Sequence, residues 1–333
     1  MAAEYAPEVV ADLQAMVQGG LPAWGLSPHT EVTLLNLSEN ATFRLRDEAS
    51  GRDLVIRLHR VGYSSPEEIR SELAWIEALR REEVIETAPL VAGTDGQPVQ
   101  ILRSPAGGPA RHAVAFERVA GKEPEQGDDL VGWFRVLGGV TARMHAHAKR
   151  WRRPKGFVRK VWTFDAMVGP AGYWGPWRAG LGLDKAGTAV IEQALARIEG
   201  RVARLGMGPE RFGLVHADLR LANLLVEDDH LRVIDFDDCG LSWYVYDFAA
   251  AISFIEHEPI VPALLDAWVE GYQAVAPLSA AELAEIPTFI VLRRILLTAW
   301  LASHAEIPFA RQMGTTFTQG TVALAARWLE QTA

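Results

Sequence analysis

The pattern of apolar and polar positions along this chain passes from β-rich to mostly helical near residue 120. Residues 7 to 19 place apolar side chains at helical spacing and end at Gly19-Gly20, which predicts a short amphipathic helix. From Glu31 the period shortens to that of strands. The runs EVTLLNL and ATFRLR flank the polar turn Ser38-Glu39-Asn40, and DLVIRLHR follows, so three strands are expected in succession. Ser65-Pro66-Glu67-Glu68 has the composition of a helix start, with proline in the first turn and carboxylates at the positive end of the dipole. The helix behind it carries Ile69, Leu73, Ile76 and Leu79 on one side. PVQIL and HAVAFERV are further strand candidates.

Gly121 to Asp129 is polar, with two glycines and a proline, and reads as a connector. Beyond it the pattern is helical over residues 129–149, 185–205, 242–256, 260–275, 280–305 and 315–331. Two short strands, LLV and LRVID, interrupt it. A β-rich first third, a connector and a helical remainder predict an α+β cleft enzyme of two lobes, residues 1–120 and 121–333, with its ligand between them. The length agrees, because one hydrophobic core seldom serves 333 residues.

Composition removes several alternatives. The chain is 49% hydrophobic and 23% charged, with a net charge of −9. A sequence-independent nucleic-acid binder needs a basic stripe, and none occurs. The acidity is left to solubility or to a pocket for a cationic substrate. Cys239 is the only cysteine, which excludes a disulfide framework and a multi-cysteine metal site; a small buried residue is expected there. No apolar run approaches the length of a membrane span, and the N-terminus is acidic where a signal peptide is basic. A cytoplasmic location without membrane or nucleic-acid partners is therefore expected.

The candidate chemistry lies in LVHADLRLANLLVEDDHLRVID, residues 214–235. Asp218 stands five residues before Asn223, on a loop opened by His216, and Asp235 follows twelve residues after Asn223 at the end of an apolar run. Phosphoryl transfer requires a carboxylate that orients or deprotonates the attacking hydroxyl, and oxygen ligands that fix magnesium on the phosphates. Asp218 suits the first role; Asn223 and Asp235 suit the second, as metal ligands.

The order HADLRLAN, VIDFDD and DFA resembles the aminoglycoside phosphotransferase and choline kinase superfamily, especially its stress response kinase A and homoserine-kinase-like branch. Their usual loop is H-G-D-x-x-x-x-N, and here Ala217 stands at the glycine. The resemblance runs from about Leu35 to beyond Asp247. It implies a two-lobed protein-kinase-like fold, with a small β-rich N-lobe bearing one main helix and a larger, mostly helical C-lobe. It also implies transfer of the ATP γ-phosphate, with Mg2+, to a hydroxyl of a small molecule (amino alcohol, aminoglycoside-like or homoserine-like) or of protein serine or threonine.

Carried over by position, Asp218 becomes the catalytic base, His216 a brace, and Asp247 the support of the catalytic loop. Arg220 stands where related kinases aim a lysine at the transferring phosphate; pairing with a nearby acid is the other reading. Arg57 replaces the usual phosphate-gripping lysine, and Glu72 is its expected partner. Ser38 and Asn40 stand in the turn that takes the place of a glycine-rich loop, a plain hairpin turn being the competing view. Glu117 and Val119 fall where the hinge offers its main chain to adenine.

Asp237 and Asp238 divide between a metal or acceptor contact and solvation. His145 and His147 make a poor metal pair, two apart on a helix. Among eleven tryptophans, Trp174 and Trp177 fall with Trp243 and Tyr244 either at an acceptor cleft or in packing. A catalytically inactive, nucleotide-binding regulatory protein is the alternative, motivated by Arg57 and the missing glycine-rich loop. A dehydrogenase or P-loop enzyme is set aside, because both glycine signatures are lacking.

Overall fold

The computed structural model describes residues 7–125 and 127–332. The first six residues, which carry part of the N-terminal acidity, lie outside them. The fold is α+β, with a β-rich N-terminal region and a helical C-terminal region. Two compact units form, one of residues up to Ala120 with the segment Arg153–Val158, the other of Gly121–Arg152 with the chain from Arg159 onward.

In the first unit, α1 (Pro7–Gly20) precedes the antiparallel strands β1 (Glu31–Leu37), β2 (Ala41–Asp47) and β3 (Arg52–Leu58). Helix α2 (Pro66–Arg81) follows, then β4 (Leu90–Val91), β5 (Val99–Leu102) and β6 (Arg111–Glu117). The strand order is β1-β2-β3-β6-β4, with β5 also on β6. Alternation along β2 sends Ala41, Phe43 and Leu45 inward, into the core cluster that also holds Leu13, Met16 and Val17 of α1. Each such large apolar side chain contributes about 1.5–3 kcal/mol on burial. A capping box starts α2: Ser65 Oγ accepts from the Glu68 amide, and the Glu68 carboxylate accepts from the Ser65 amide. Its buried face holds Ile69, Leu73, Ile76 and Leu79 as the spacing predicts, and Glu72 among them.

The second unit begins with α3 (Leu130–Arg150), β7 (Lys160–Val161), α4 (Phe164–Val168) and α5 (Lys185–Leu205). Short strands follow: β8 (Phe212–Val215), β9 (Leu224–Glu227), β10 (His230–Val233) and β11 (Gly240–Trp243). The helices α6 (Tyr246–Ala251), α7 (Val261–Gln273), α8 (Ala280–Ser303) and α9 (Pro308–Gln331) complete it. Helices α3 and α7 touch backbone to backbone. A Cβ on Gly138 would stand 2.0 Å from the Trp268 carbonyl oxygen, and one on Gly271 would stand 1.8 Å from that of Arg135.

Two expectations are corrected. Residues 242–256 are not one helix: they finish β11, turn, and form the short α6. Every residue from Ser242 to Ala251 is buried, so no polar face marks the break. Secondly, α8 is long and apolar enough to cross a membrane by length and composition, contrary to the reading of the sequence; 72% of its most apolar window is buried within the protein.

Candidate active site

Strand β8 ends at Val215 and delivers the chain into a loop closed by a 3-10 turn, Leu221–Asn223, before the β9–β10 hairpin returns it to Asp235. Two backbone positions make this path possible. Ala217 has φ +67° and Asp235 has φ +60°, left-handed values that aspartate adopts more readily than most residues and alanine does not. Asp247, at the start of α6, holds the first of these. Its Oδ1 accepts from the Ala217 amide at 2.7 Å and its Oδ2 from the His216 amide at 3.1 Å. The same Oδ2 lies 2.9 Å from His145 Nε2, and His145 Nδ1 lies 3.0 Å from the Tyr272 hydroxyl. With Nε2 donating to the carboxylate, Nδ1 accepts from the phenol, and every member of this buried chain is satisfied. His145 thus faces the loop, whereas His147 stacks on Trp151. His216 Nε2 donates to the Ile234 carbonyl and Nδ1 accepts from the Asp218 amide, which ties the loop to the strand leading to Asp235.

The Asp218 carboxylate is contacted from three sides. Asn223 Nδ2 donates to Oδ2 at 2.7 Å and to the Asp218 carbonyl at 2.8 Å. Arg220 Nε donates to Oδ2 at 3.3 Å, so the paired reading of Arg220 describes its contact in this structure. Arg293 Nη2, from α8, donates to Oδ1 at 2.7 Å. Burial works to raise the Asp218 pKa; the charges of Arg220 and Arg293 outweigh it and hold the carboxyl below its ordinary value.

Arg293 escaped the reading of the sequence. The available signal was a pair of arginines, Arg293-Arg294, inside an otherwise apolar helical run: buried guanidinium groups require partners. Arg294 finds Glu256 at 2.6 Å and Arg293 finds Asp218.

Asn223 and Asp235 are drawn near one another along the backbone, since the Ile234 amide donates to the Asn223 carbonyl at 3.0 Å. Both donors of the Asn223 amide group are engaged by Asp218, so the group it can offer a metal is its oxygen. An amide oxygen and a carboxylate are the hard ligands that Mg2+ takes, usually with phosphate oxygens and water completing the shell. Among the described residues no cluster of three or more His, Cys, Asp or Glu side chains forms a cage of its own. The donor set fits a phosphate-bound Mg2+.

The neighbouring acids are both held by the fold. Asp237 is buried, with its carbonyl accepting from Arg159, and Asp238 accepts from Lys160 Nζ at 2.7 Å. Burial opposes the charge of Lys160, but Asp238 and Asp237 keep its pKa raised. Cys239 is fully buried as expected. Trp243 donates to the Gly206 carbonyl, Tyr244 packs on His145, and Trp177 is buried under Arg178; these three serve packing. Trp174 lies against the Arg293 guanidinium, 5.1 Å from its ring centre.

In the first unit, Arg57 on β3 donates to Glu72 Oε1 on α2 at 2.5 Å, with both side chains buried. The Ser38 amide donates to the Asn40 carbonyl within the β1–β2 turn, and Asn40 Oδ1 ties that turn to the segment after β3 by accepting the Arg60 amide at 3.1 Å. The Glu117 amide is engaged by the Pro89 carbonyl, so a nucleotide meeting Glu117 would find its carbonyl; Val119 is half-buried just beyond.

Comparison with known proteins identifies the family. The model of the phosphotransferase enzyme family, APH, matches residues 31–283. The solved structure of a microcompartment-associated aminopropanol kinase is 39% identical, with a TM-score of 0.88, over 95% of this chain and 97% of that one. An amicoumacin kinase, hAmiN, solved in complex with AMP-PNP, Ca2+ and Ami, is 23% identical with a TM-score of 0.75, over 96% and 94% of the two chains. The amicoumacin kinase of Bacillus subtilis (strain 168) is 25% identical over 243 residues, 70% of this chain and 69% of that one. The superfamily resemblance read from HADLRLAN, VIDFDD and DFA therefore holds, and the chain is a kinase belonging to the APH phosphotransferase enzyme family.

Proposed function

We propose that this protein transfers the γ-phosphate of ATP to the hydroxyl of a small amino alcohol of the aminopropanol type, using Mg2+ held by Asn223 and Asp235. The carrying observation is the Asp218 carboxylate, fixed on three sides on the loop that precedes those two ligands. Asp218 receives the acceptor hydroxyl and its proton. Bound Mg2+ offsets the charge of the phosphate oxygens, and the protein's part is to place the hydroxyl in line. Arg220, whose side chain is one-third exposed, turns from Asp218 toward the transferring phosphate when nucleotide is present. Arg57, braced by Glu72, pairs with nucleotide phosphate oxygens. The Ser38–Asn40 turn adds backbone donors, and the main chain at Glu117 and Val119 meets adenine.

The acceptor class rests on the aminopropanol kinase relative, which is alike over nearly the whole of both chains. Cytoplasmic residence, where ATP and magnesium are plentiful, belongs to the same reading. The test is transfer from γ-labelled ATP to a panel: 1-amino-2-propanol, ethanolamine, choline, homoserine, an aminoglycoside, amicoumacin and a generic protein substrate. Magnesium-dependent phosphorylation of 1-amino-2-propanol or ethanolamine above the rest is the expected result. Preference for any other member, the protein substrate included, replaces the amino-alcohol assignment. No metal-dependent transfer or ATP hydrolysis at all overturns the catalytic reading.

A further inference from the structure

Asp218 can serve an incoming hydroxyl only if its carboxylate plane is fixed, and its own loop fixes just one of its oxygens. Both loop contacts, from Asn223 and Arg220, fall on Oδ2. The Oδ1 contact comes from Arg293, 75 residues away in sequence on α8. We propose that Arg293 is a positioning residue for phosphoryl transfer, locking the rotation of the Asp218 carboxylate so that the acceptor oxygen is presented in line with the phosphate.

Arg293 is itself immobilised in three directions. Nε donates to Ser253 Oγ at 3.0 Å, Nη1 to the Tyr246 hydroxyl at 3.0 Å and Nη2 to Asp218 at 2.7 Å. The guanidinium lies against the rings of Trp174 and Tyr246, 5.1 and 5.8 Å from their centres, and the side chain is 2% exposed. A planar fork satisfied at three of its edges has no alternative rotamer, so the group it touches inherits that fixity. A lysine would supply the charge without the fork. Tyr246 and Ser253 belong to the same device: they touch Arg293 and hold its plane. Since a misplacement of about 1 Å can cost about 10²-fold in rate, loosening any of them acts on turnover rather than on nucleotide affinity.

The inference rests on the reading of Asp218 as the residue that orients the acceptor, and the experiment separates the two. Wild-type turnover is measured first with 1-amino-2-propanol. If another acceptor is preferred, that one is used; if none is found, magnesium-dependent ATP hydrolysis is used, in which water replaces the hydroxyl. Failure of the amino alcohol then falls on the acceptor assignment and leaves Arg293 to be tested. Arg293→Met, Arg293→Lys, Tyr246→Phe and Ser253→Ala are each assayed for kcat, for both KM values, for calorimetric Mg-ATP binding and for thermal melting.

The expected result for Arg293→Met is a kcat about 10²-fold lower, with Mg-ATP affinity within about threefold of wild type. Arg293→Lys recovers only part of the loss. Tyr246→Phe and Ser253→Ala each lower kcat several-fold without moving either KM, a split that a merely structural role would not produce. A folded Arg293→Met with near-normal kcat overturns the inference, as does a loss confined to the acceptor KM. If Arg293→Met does not fold, the two milder variants decide: reduced kcat with an unchanged melt supports the inference, and unchanged kcat overturns it.

Discussion

The Ala217 amide donates to Asp247 Oδ1 at 2.7 Å while Ala217 itself holds a φ of +67°. An L-residue in that region costs about 1–2 kcal/mol, and glycine escapes the cost. Asp247 is what keeps the turn there, with one carboxylate accepting two loop amides and facing His145. Asp247→Ala leaves two buried amides without their acceptor and removes the His145 contact. A loss of about 3 kcal/mol in unfolding free energy is expected, measured by urea denaturation. Ala217→Gly should stay within about 1 kcal/mol of wild type, its relief of strain offset by greater freedom in the unfolded chain. Ala217→Val, β-branched and fully buried, should cost more than either. An Asp247→Ala protein as stable as wild type would remove the carboxylate from its supporting role.

Legibility in the sequence followed the reach of each signal. Strand β1 and the start of helix α2 were readable to within a residue, because alternation, the Ser65 cap and Pro66 are local. The Arg57–Glu72 pair was readable because a strand and the next helix face one another in a familiar order. The 242–256 stretch misled because an apolar run buried all round has no periodicity to separate strand from helix. The division between Asp237 and Asp238 was left open because Lys160, the partner of Asp238, lies 78 residues earlier on a two-residue strand no pattern could mark. The partner of Arg293 was invisible for the same reason: nothing local ties α8 to the loop at Asp218.

The contact between α3 and α7 leaves no room for a side chain. A Cβ on Gly138 would stand 2.0 Å from the Trp268 carbonyl, and backbone cannot rotate away as a flexible side chain can. Gly138→Ala should therefore destabilise by about 3 kcal/mol or more, even though alanine favours helix by about 1 kcal/mol. Gly19→Ala, where nothing lies within 4 Å, is the control. Thermal melts of the two variants check this, and equal melting temperatures would contradict the packing.

Arg57 and Glu72 are both buried, so removing one takes from the other its ion-pair partner at 2.5 Å. Glu72→Ala is expected to cost about 3–5 kcal/mol, and the double variant Arg57→Met with Glu72→Met less than that, because neither charge remains. For function, Arg57→Lys should keep much of the affinity for Mg-ATP, whereas Arg57→Met should raise KM for ATP about tenfold and leave the acceptor KM in place. Steady-state kinetics with each substrate varied in turn decides, and an effect on the acceptor alone refutes the phosphate role.

Asp235 combines a demand of backbone with a demand of charge. At φ +60° asparagine is as comfortable as aspartate, so Asp235→Asn keeps the turn and alters only the ligand. The half-saturating Mg2+ concentration should rise by about tenfold or more with the melt unchanged, since a neutral amide is a weaker ligand for a hard cation. Chelation of divalent ions should abolish wild-type transfer. Titrating turnover against Mg2+ tests both, and an unaltered titration curve takes Asp235 out of the metal shell.

Asp218 balances the buried Arg293 guanidinium at the same atoms proposed to meet the acceptor. Asp218→Asn should lower transfer by about 10³-fold while calorimetric Mg-ATP binding stays within a few-fold. It should also lower stability, because the buried Arg293 keeps its charge and loses its carboxylate partner. The two losses have different remedies. Adding Arg293→Met to Asp218→Asn removes the stranded charge and should restore part of the melting temperature, yet none of the transfer. If activity returned together with stability, the Asp218 carboxylate would be needed for folding around Arg293, and its catalytic assignment would fall.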